Sequence, residues 1–501
     1  MKNNEDNFLY PSDQIITQLL KLYQSNNLND AKKLALSITR DFPKYQLAWK
    51  VLGLILMKTD SLNESLIPMQ RSVELEPNDS NAYYNLGIIF LELNKLDDAE
   101  LNLKKTINLK PDYIEAYNNL GITLQRKNKL DESKKIYENL IKLRPDFTEA
   151  YNNLALTFDM LGDYRSAETN YKKTIKLDPN HFEAYVNLGI LLTKVNRLEE
   201  AMKVFIKSNK INPHYERSLQ NITSLLTNFE PNQDFSHPLI IANKEIKKKY
   251  KNKNELISDD NVINFFKESI DIIKKHNLEI KTELSQVFRR NSINLNCDRH
   301  MSIFNKFNII PKFCFGCFKV QIEPKNLLEL MKLIVVFDEI KLKNNNLRKC
   351  MIEMRPEIDG YYKGLIYCSD LDEANEISEL VKDIISKRIK KNIKVFVKRG
   401  CSEYPIAYPE YKKTIKSKLM KYNDSWNEIE QNFDSFNRKK KEPIITATIP
   451  GFSLQDVLII SNWIDYAKGI KDPCVSAFDQ NIIYSERIFK KAKLKFNKNL
   501  I

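Results

Sequence analysis

The chain has 501 residues, with 79 Lys and Arg against 65 Asp and Glu, for a formal net charge of +14. That length supports two or three domains, and a basic balance admits an acidic partner such as nucleic acid. The basic runs Lys247–Lys253, Lys387–Lys394 and Arg438–Lys441 read better as solvated faces and linkers, so nucleic acid is not the expected partner.

Further exclusions come from what each chemistry requires. The opening MKNNEDNFLYPSD lacks the apolar stretch of a secretory signal, and runs such as Leu333–Phe337 are too short to cross a bilayer. Seven cysteines, an odd number, suit a reducing compartment. A cytoplasmic protein without membrane insertion is expected. The five histidines are His181, His214, His237, His276 and His300, so a histidine base in the second half must be one of the last two. Neither GxGxxG nor GxxxxGK[ST] is present, which removes the usual glycine-rich phosphate loops.

After a polar tail (residues 1–11), a 34-residue period governs residues 12–228. Pro43, Pro77, Pro111, Pro145, Pro179 and Pro213 keep it without a slip. Trp49, Tyr83, Tyr117, Tyr151 and Tyr185 share the register, and three residues on stand Leu52, Leu86, Leu120, Leu154 and Leu188. A small residue follows each leucine: Gly53, Gly87, Gly121, Ala155 and Gly189. A second small position holds Ala31, Ser65, Ala99, Ser133, Ala167 and Ala201. Aromatic and leucine at i and i+3 share a helix face, and the small residues allow two helices to approach closely. Proline ends each unit because a helix cannot continue through a missing N–H. No unit buries its apolar face alone, so the units must stack.

The pattern resembles the tetratricopeptide repeat (TPR) family over residues 12–215. Five full repeats start at Gln46, Ser80, Ile114, Thr148 and Phe182, preceded by a degenerate unit (12–45) and followed by a capping helix over Tyr215–Asn228. The repeats are similar to those of O-linked sugar transferases that carry a TPR superhelix. Asn85, Asn119, Asn153 and Asn187 precede the repeat leucines. The resemblance implies that these asparagines point into a concave groove, where carboxamides could pair with the backbone of an extended peptide. The first full repeat has Val51 there. Consensus drift without a ligand is the plainer reading of the same asparagines.

A linker with one helix near Ile240–Tyr250 is expected over residues 229–259. Residues 260–501 read as an α+β domain. An amphipathic helix over Asp260–His276 is followed by Cys297-x-x-His300 and Cys314-x-x-Cys317. These four residues could ligate a structural zinc; buried core thiols or a redox dithiol are the alternatives. Then come a strand over Phe313–Ile322, a helix over Lys325–Phe337, strands over Lys349–Arg355 and Tyr362–Cys368, a helix over Asp370–Arg388 and a strand over Lys394–Lys398. The second of these helices is opened by a Ser369-x-x-Asp372 capping pattern. This β-α-β-β-α-β order predicts a ferredoxin-like core. Helices at Pro409–Tyr422 and Ser425–Phe436, a strand at Ile444–Ile449 and a helix at Leu454–Lys468 opened by Ser453-x-x-Asp456 complete the reading.

Two short motifs stand out in this domain. Lys363-Gly364-Leu365-Ile366-Tyr367 faintly resembles an RNA-recognition core but lacks the aromatic at Leu365. Lys398-Arg399-Gly400-Cys401-Ser402-Glu403 is either a thiol nucleophile among charges or a turn around Gly400. With strands two and four at opposite edges, Glu353 and Arg355 are not expected to meet Cys401 and Glu403. A scaffold or adaptor that binds a protein or peptide is the leading function. An enzyme of group transfer, such as protein glycosylation, whose repeats recruit a protein substrate is the second, and an RNA-associated factor the third.

Overall fold

The computed structural model describes residues 10–59, 61–232, 235–250, 257–278, 280–289, 295–436, 447–479 and 482–498. Twelve helices form six antiparallel pairs: α1 (Asp13–Gln24) with α2 (Leu28–Asp41), α3 (Gln46–Lys58) with α4 (Leu62–Leu75), and α5 (Ser80–Glu92) with α6 (Leu96–Leu109). The series continues with α7 (Ile114–Arg126) and α8 (Leu130–Leu143), α9 (Thr148–Leu161) and α10 (Tyr164–Leu177), and α11 (Phe182–Lys194) and α12 (Leu198–Ile211). The five expected repeat starts are the first residues of α3, α5, α7, α9 and α11. Each second helix stops two residues before its proline, as at Asp41 and Pro43. The chain forms two compact units, residues 1–184 and 185–501, which divide inside α11.

In the first unit the small positions do what close packing requires. A Cβ on Gly121 would lie 2.4 Å from the Tyr137 ring, and one on Gly87 would lie 2.9 Å from Leu103. Tyr137 and Leu103 are fully buried. The turn inside each pair shows a rule that was not read from the sequence. Asn26, Asn94 and Asn128 sit in the left-handed region with φ of 59°, 56° and 59°, and Gly162 takes the same place at 79°. Asparagine and glycine are the residues that tolerate this conformation.

Glu100 on α6 is an ionic anchor of this unit. It is 7% exposed and contacts Lys104, Lys127 and Lys129 at 2.6, 2.6 and 3.0 Å. Burial alone would raise its carboxyl, but the three lysine hydrogen bonds outweigh burial and hold it down to about 2. The unfolded chain binds this proton near the ordinary value, so the contribution is present above about pH 4.5 and lost as pH falls toward about 2. Glu100→Gln should therefore flatten the acid limb of stability across that window, measured by denaturant melts at each pH.

In the second unit, α13 (Glu216–Asn228) packs on α12, and also on α14 (Pro238–Lys249) and a later helix, α21 (Leu454–Gly469). Ile449 N–H donates to Thr227 O at 3.0 Å, and Leu454 N–H to Asn243 Oδ1 at 2.9 Å. The remaining elements are α15 (Asp259–Lys275), β1 (Gln286–Arg289), α16 (Cys297–Phe307), β2 (Phe318–Glu323), α17 (Leu327–Glu339), β3 (Arg348–Ile352) and β4 (Tyr362–Cys368). They continue with α18 (Leu371–Arg388), β5 (Lys394–Arg399), a single turn α19 (Tyr404–Ala407), α20 (Trp426–Phe436) and α22 (Glu486–Lys498). No helix among the described residues is long and apolar enough to cross a membrane.

The strands form one antiparallel sheet in the order β1-β3-β4-β2-β5. Helices α17 and α18 cover one face. Gly364 of β4 allows this, since a Cβ there would stand 2.3 Å from Leu333 of α17. Helix α21 is buried on nearly every side and opens with the expected capping box of Ser453 and Asp456.

Several expectations need correction. β1 and α22 were not foreseen. The strand expected from Phe313 starts only at Phe318, because Lys312–Gly316 is a 3-10 turn that buries Cys314. The N-cap of α18 is Asp370, whose carboxylate accepts from Glu373 N–H, not Ser369. Pro409–Tyr422 holds two 3-10 turns instead of a helix. Of the strand at Ile444–Ile449, residues 444–446 lie outside the described residues and 447–449 are not a strand.

Candidate functional site

The repeat asparagines lie on the first helices, one per unit. Asn85, Asn119, Asn153 and Asn187 are all half-buried. Two of their amides reach back one repeat. Asn119 Nδ2 donates to Tyr84 OH at 3.0 Å, and Asn153 Nδ2 donates to Asn118 Oδ1 at 2.9 Å. Among the described residues no hydrogen bond is made to the Oδ1 of Asn119 or Asn153, so one acceptor on each remains for a ligand N–H. Asn187 occupies the matching position in the second unit.

The zinc expectation is corrected. No group of three or more His, Cys, Asp or Glu among the described residues could hold a metal ion. Cys297 begins α16. His300, one turn on, is buried and stacks on Phe313 at 5.1 Å between centroids. Burial pushes its imidazole down to about 4. Cys314 lies in the 3-10 turn, 3.3 Å from Tyr404 OH, and burial pushes its thiol up to about 12. The turn at Lys312–Gly316 thus commits Cys314 to an aromatic cluster with Tyr404 and Tyr411.

Charge gathers instead on the sheet face away from α17 and α18. Side chains alternate along a strand, so Gly364 and Ile366 face the helices while Lys363, Leu365 and Tyr367 face the other way. Register places Lys319 of β2 beside both Tyr367 of β4 and Lys398 of β5. Leu365 and Tyr367 are 7% and 8% exposed, too covered to stack a nucleobase.

Three chain segments reach over this face. Gly400, at φ 56°, turns the chain after β5, and a Cβ there would strike the Tyr411 hydroxyl at 2.3 Å. Arg399 points the other way, donating to Phe315 O and Met420 O at 2.9 and 3.0 Å. Cys401 Sγ then lies 3.7 Å from Lys319 Nζ, and Ser402 Oγ lies 2.7 Å from Lys398 Nζ. From beyond β3, Arg355 pairs with Glu353 at 2.7 Å and with Glu403, and Glu353 also holds Lys363 at 2.9 Å. This corrects the expectation that Glu353 and Arg355 stay apart from Cys401 and Glu403. The strands are indeed not neighbours, but the segments after them converge over the open face. The third cover is the start of α16, where the Cys297 thiol faces Lys319.

The electrostatics are uneven. Burial alone would raise the Glu353 carboxyl, yet Arg355 and Lys363 hold it at about 2. Lys398 is pushed down to about 7 by burial and then by the charges of Lys319 and Lys363. Burial raises the Cys297 and Cys317 thiols.

Family models for the tetratricopeptide repeat match residues 69–100 and 170–203, 114–147, and 148–181. Residues 69–203 carry tetratricopeptide repeats. No curated protein sequence matches the chain. Solved TPR structures share low similarity with it. YrrB, described as a TPR protein with an unusual peptide-binding site, is 17% identical, at a TM-score of 0.32 over 37% of this chain and 96% of that one. TTC0263, a thermophilic TPR protein of Thermus thermophilus, is 20% or so more distant in no respect that matters to the fold: it is 22% identical, at 0.32 over 36% and 98%. MamA from Desulfovibrio magneticus RS-1 is 19% identical, at 0.32 over 34% and 97%. The sequence signals that carried the TPR assignment were periodic and local. The sheet-face cluster had no comparable signal, because its members are spread from Lys319 to Glu403.

Proposed function

We propose that this protein is a cytoplasmic interaction scaffold whose first unit binds an extended segment of a partner protein. The observation that carries the reading is the 34-residue recurrence of half-buried asparagines on successive first helices, at Asn85, Asn119 and Asn153. Two of them are held by the preceding repeat, so binding would not have to order them, which lowers its cost. We read the C-terminal sheet as a ferredoxin-like core. The support is the order β2-α17-β3-β4-α18-β5 with strand neighbours β3-β4-β2-β5.

The test is selection of extended peptides on the immobilised full chain, followed by affinity measurement. Asn119→Ala with Asn153→Ala should weaken selected peptides by about 1 kcal/mol or more per site. Each substitution also removes one hydrogen bond between repeats, so stability should fall by about 0.5–1.5 kcal/mol per site. Equal affinity for wild type and the double variant would refute the asparagine site.

A further inference from the structure

We propose that the open face of the C-terminal sheet beside Cys401 binds the phosphate group of a small anionic molecule between Lys319 and Lys398. The inference is independent of the peptide groove, since every residue involved lies in residues 297–403.

The argument begins with a count of partners. Lys319, Lys363, Lys398 and Arg355 crowd one patch. Lys363 has Glu353, and Arg355 has Glu353 and Glu403. Lys319 and Lys398 have no carboxylate among the described residues. Yet they sit directly opposite each other on paired strands, where like charges repel. Lys319 is only 4% exposed. A buried ammonium without a counter-charge is costly. The Tyr367 ring, 4.8 Å from Lys319 Nζ, offsets part of that cost but brings no net charge. The Cys401 thiol adds only a weak contact at 3.7 Å. One anion between the two ammoniums would neutralise both.

The donor chemistry selects phosphate over carboxylate. A guanidinium fork matches a carboxylate, and the one guanidinium in this cluster, Arg355, is already bound to two. What remains are two point charges, which suit the spread charge of a phosphate. Ser402 Oγ accepts from Lys398 at 2.7 Å, which leaves its own proton to donate to the same anion. Lys398, Cys401 and Ser402 are half-buried, so solvent reaches the site from their side.

The experiment uses the full chain with inorganic phosphate, and acetate as the comparison, at constant ionic strength. Titration calorimetry should show saturable one-to-one phosphate binding, weakened at least tenfold by Lys398→Met and unchanged by Lys343→Met on the surface. In the wild type, phosphate should slow the modification of Cys401 by iodoacetamide, mapped by mass spectrometry, at least threefold, and acetate should not. Lys319→Met removes a buried unpaired charge. It should raise Tm without phosphate and abolish the phosphate-dependent rise seen in the wild type. A lower Tm with the phosphate response intact would mark Lys319 as structural and overturn the proposal. Absence of saturable binding, or equal slowing of Cys401 by acetate, would also overturn it.

Discussion

Arg289→Met is expected to destabilise the second unit by about 3–5 kcal/mol, the range for stripping one partner from a buried ion pair. Arg289 ends β1 and is 1% exposed. Its Nε lies 2.7 Å from Asp338 Oδ1 on α17, and Nη1 lies 3.2 Å from Asp456 Oδ1 at the start of α21. Nη2 donates to Asp456 Oδ2 and to Gly451 O, both at 3.2 Å. Tyr250 OH and Gly451 N–H add bonds to Asp338 at 3.0 and 2.8 Å. One guanidinium therefore joins a strand and two helices that are far apart in sequence. Methionine fills similar volume but leaves two carboxylates facing each other out of water.

The pH dependence of that loss has a definite sign. Burial already holds the Asp338 carboxyl above its ordinary value, even with Arg289 beside it. In the variant the shift should grow. A carboxyl raised in the folded state keeps its stability while protonated and loses it as pH rises through the folded value. The deficit of Arg289→Met relative to wild type should therefore be larger at pH 8 than at pH 5. Urea melts at the two pH values measure it. A deficit below about 1 kcal/mol at pH 8 would show that the triad does not hold the unit together.

Tyr137→Ala is expected to cost the first unit about 3–5 kcal/mol, as for other large aromatic truncations in packed cores. The ring is fully buried against Gly121 and packs with Leu140, Ala150 and Leu154. These residues come from α7, α8 and α9, so the cavity opens where two repeats join. Solenoid stability is a sum of repeat and nearest-neighbour terms, so hydrogen exchange should rise first in α7–α9. A coupled test checks the cause. Gly121→Val should also destabilise, because its Cβ would meet the ring. Combined with Tyr137→Ala the clash disappears, so the double variant should lose clearly less than the sum of the two. Strict additivity would mean that the two positions do not pack as described.

The amino-acid sequence alone determined the helical repeats and most of the sheet. Proline, aromatic, leucine and small residues at a 34-residue period are local signals, and every repeat restates them. The helices α17, α18 and α21 and the strands β2 to β5 were likewise legible from their own apolar patterns. Tertiary structure decided the rest. β1 is four residues, Gln286–Arg289, too short to show alternation, and it exists because β3 offers it a partner. Cys314 became a core thiol because a 3-10 turn, set by Pro311 and the Tyr404 and Tyr411 cluster, replaced the start of a strand. The charged face beside Cys401 required Gly400 to reverse the chain and Arg355 to reach Glu403, 48 residues away. Burial of Lys319 follows from that convergence. No local pattern reports it, because desolvation and charge pairing depend on what the rest of the fold brings near.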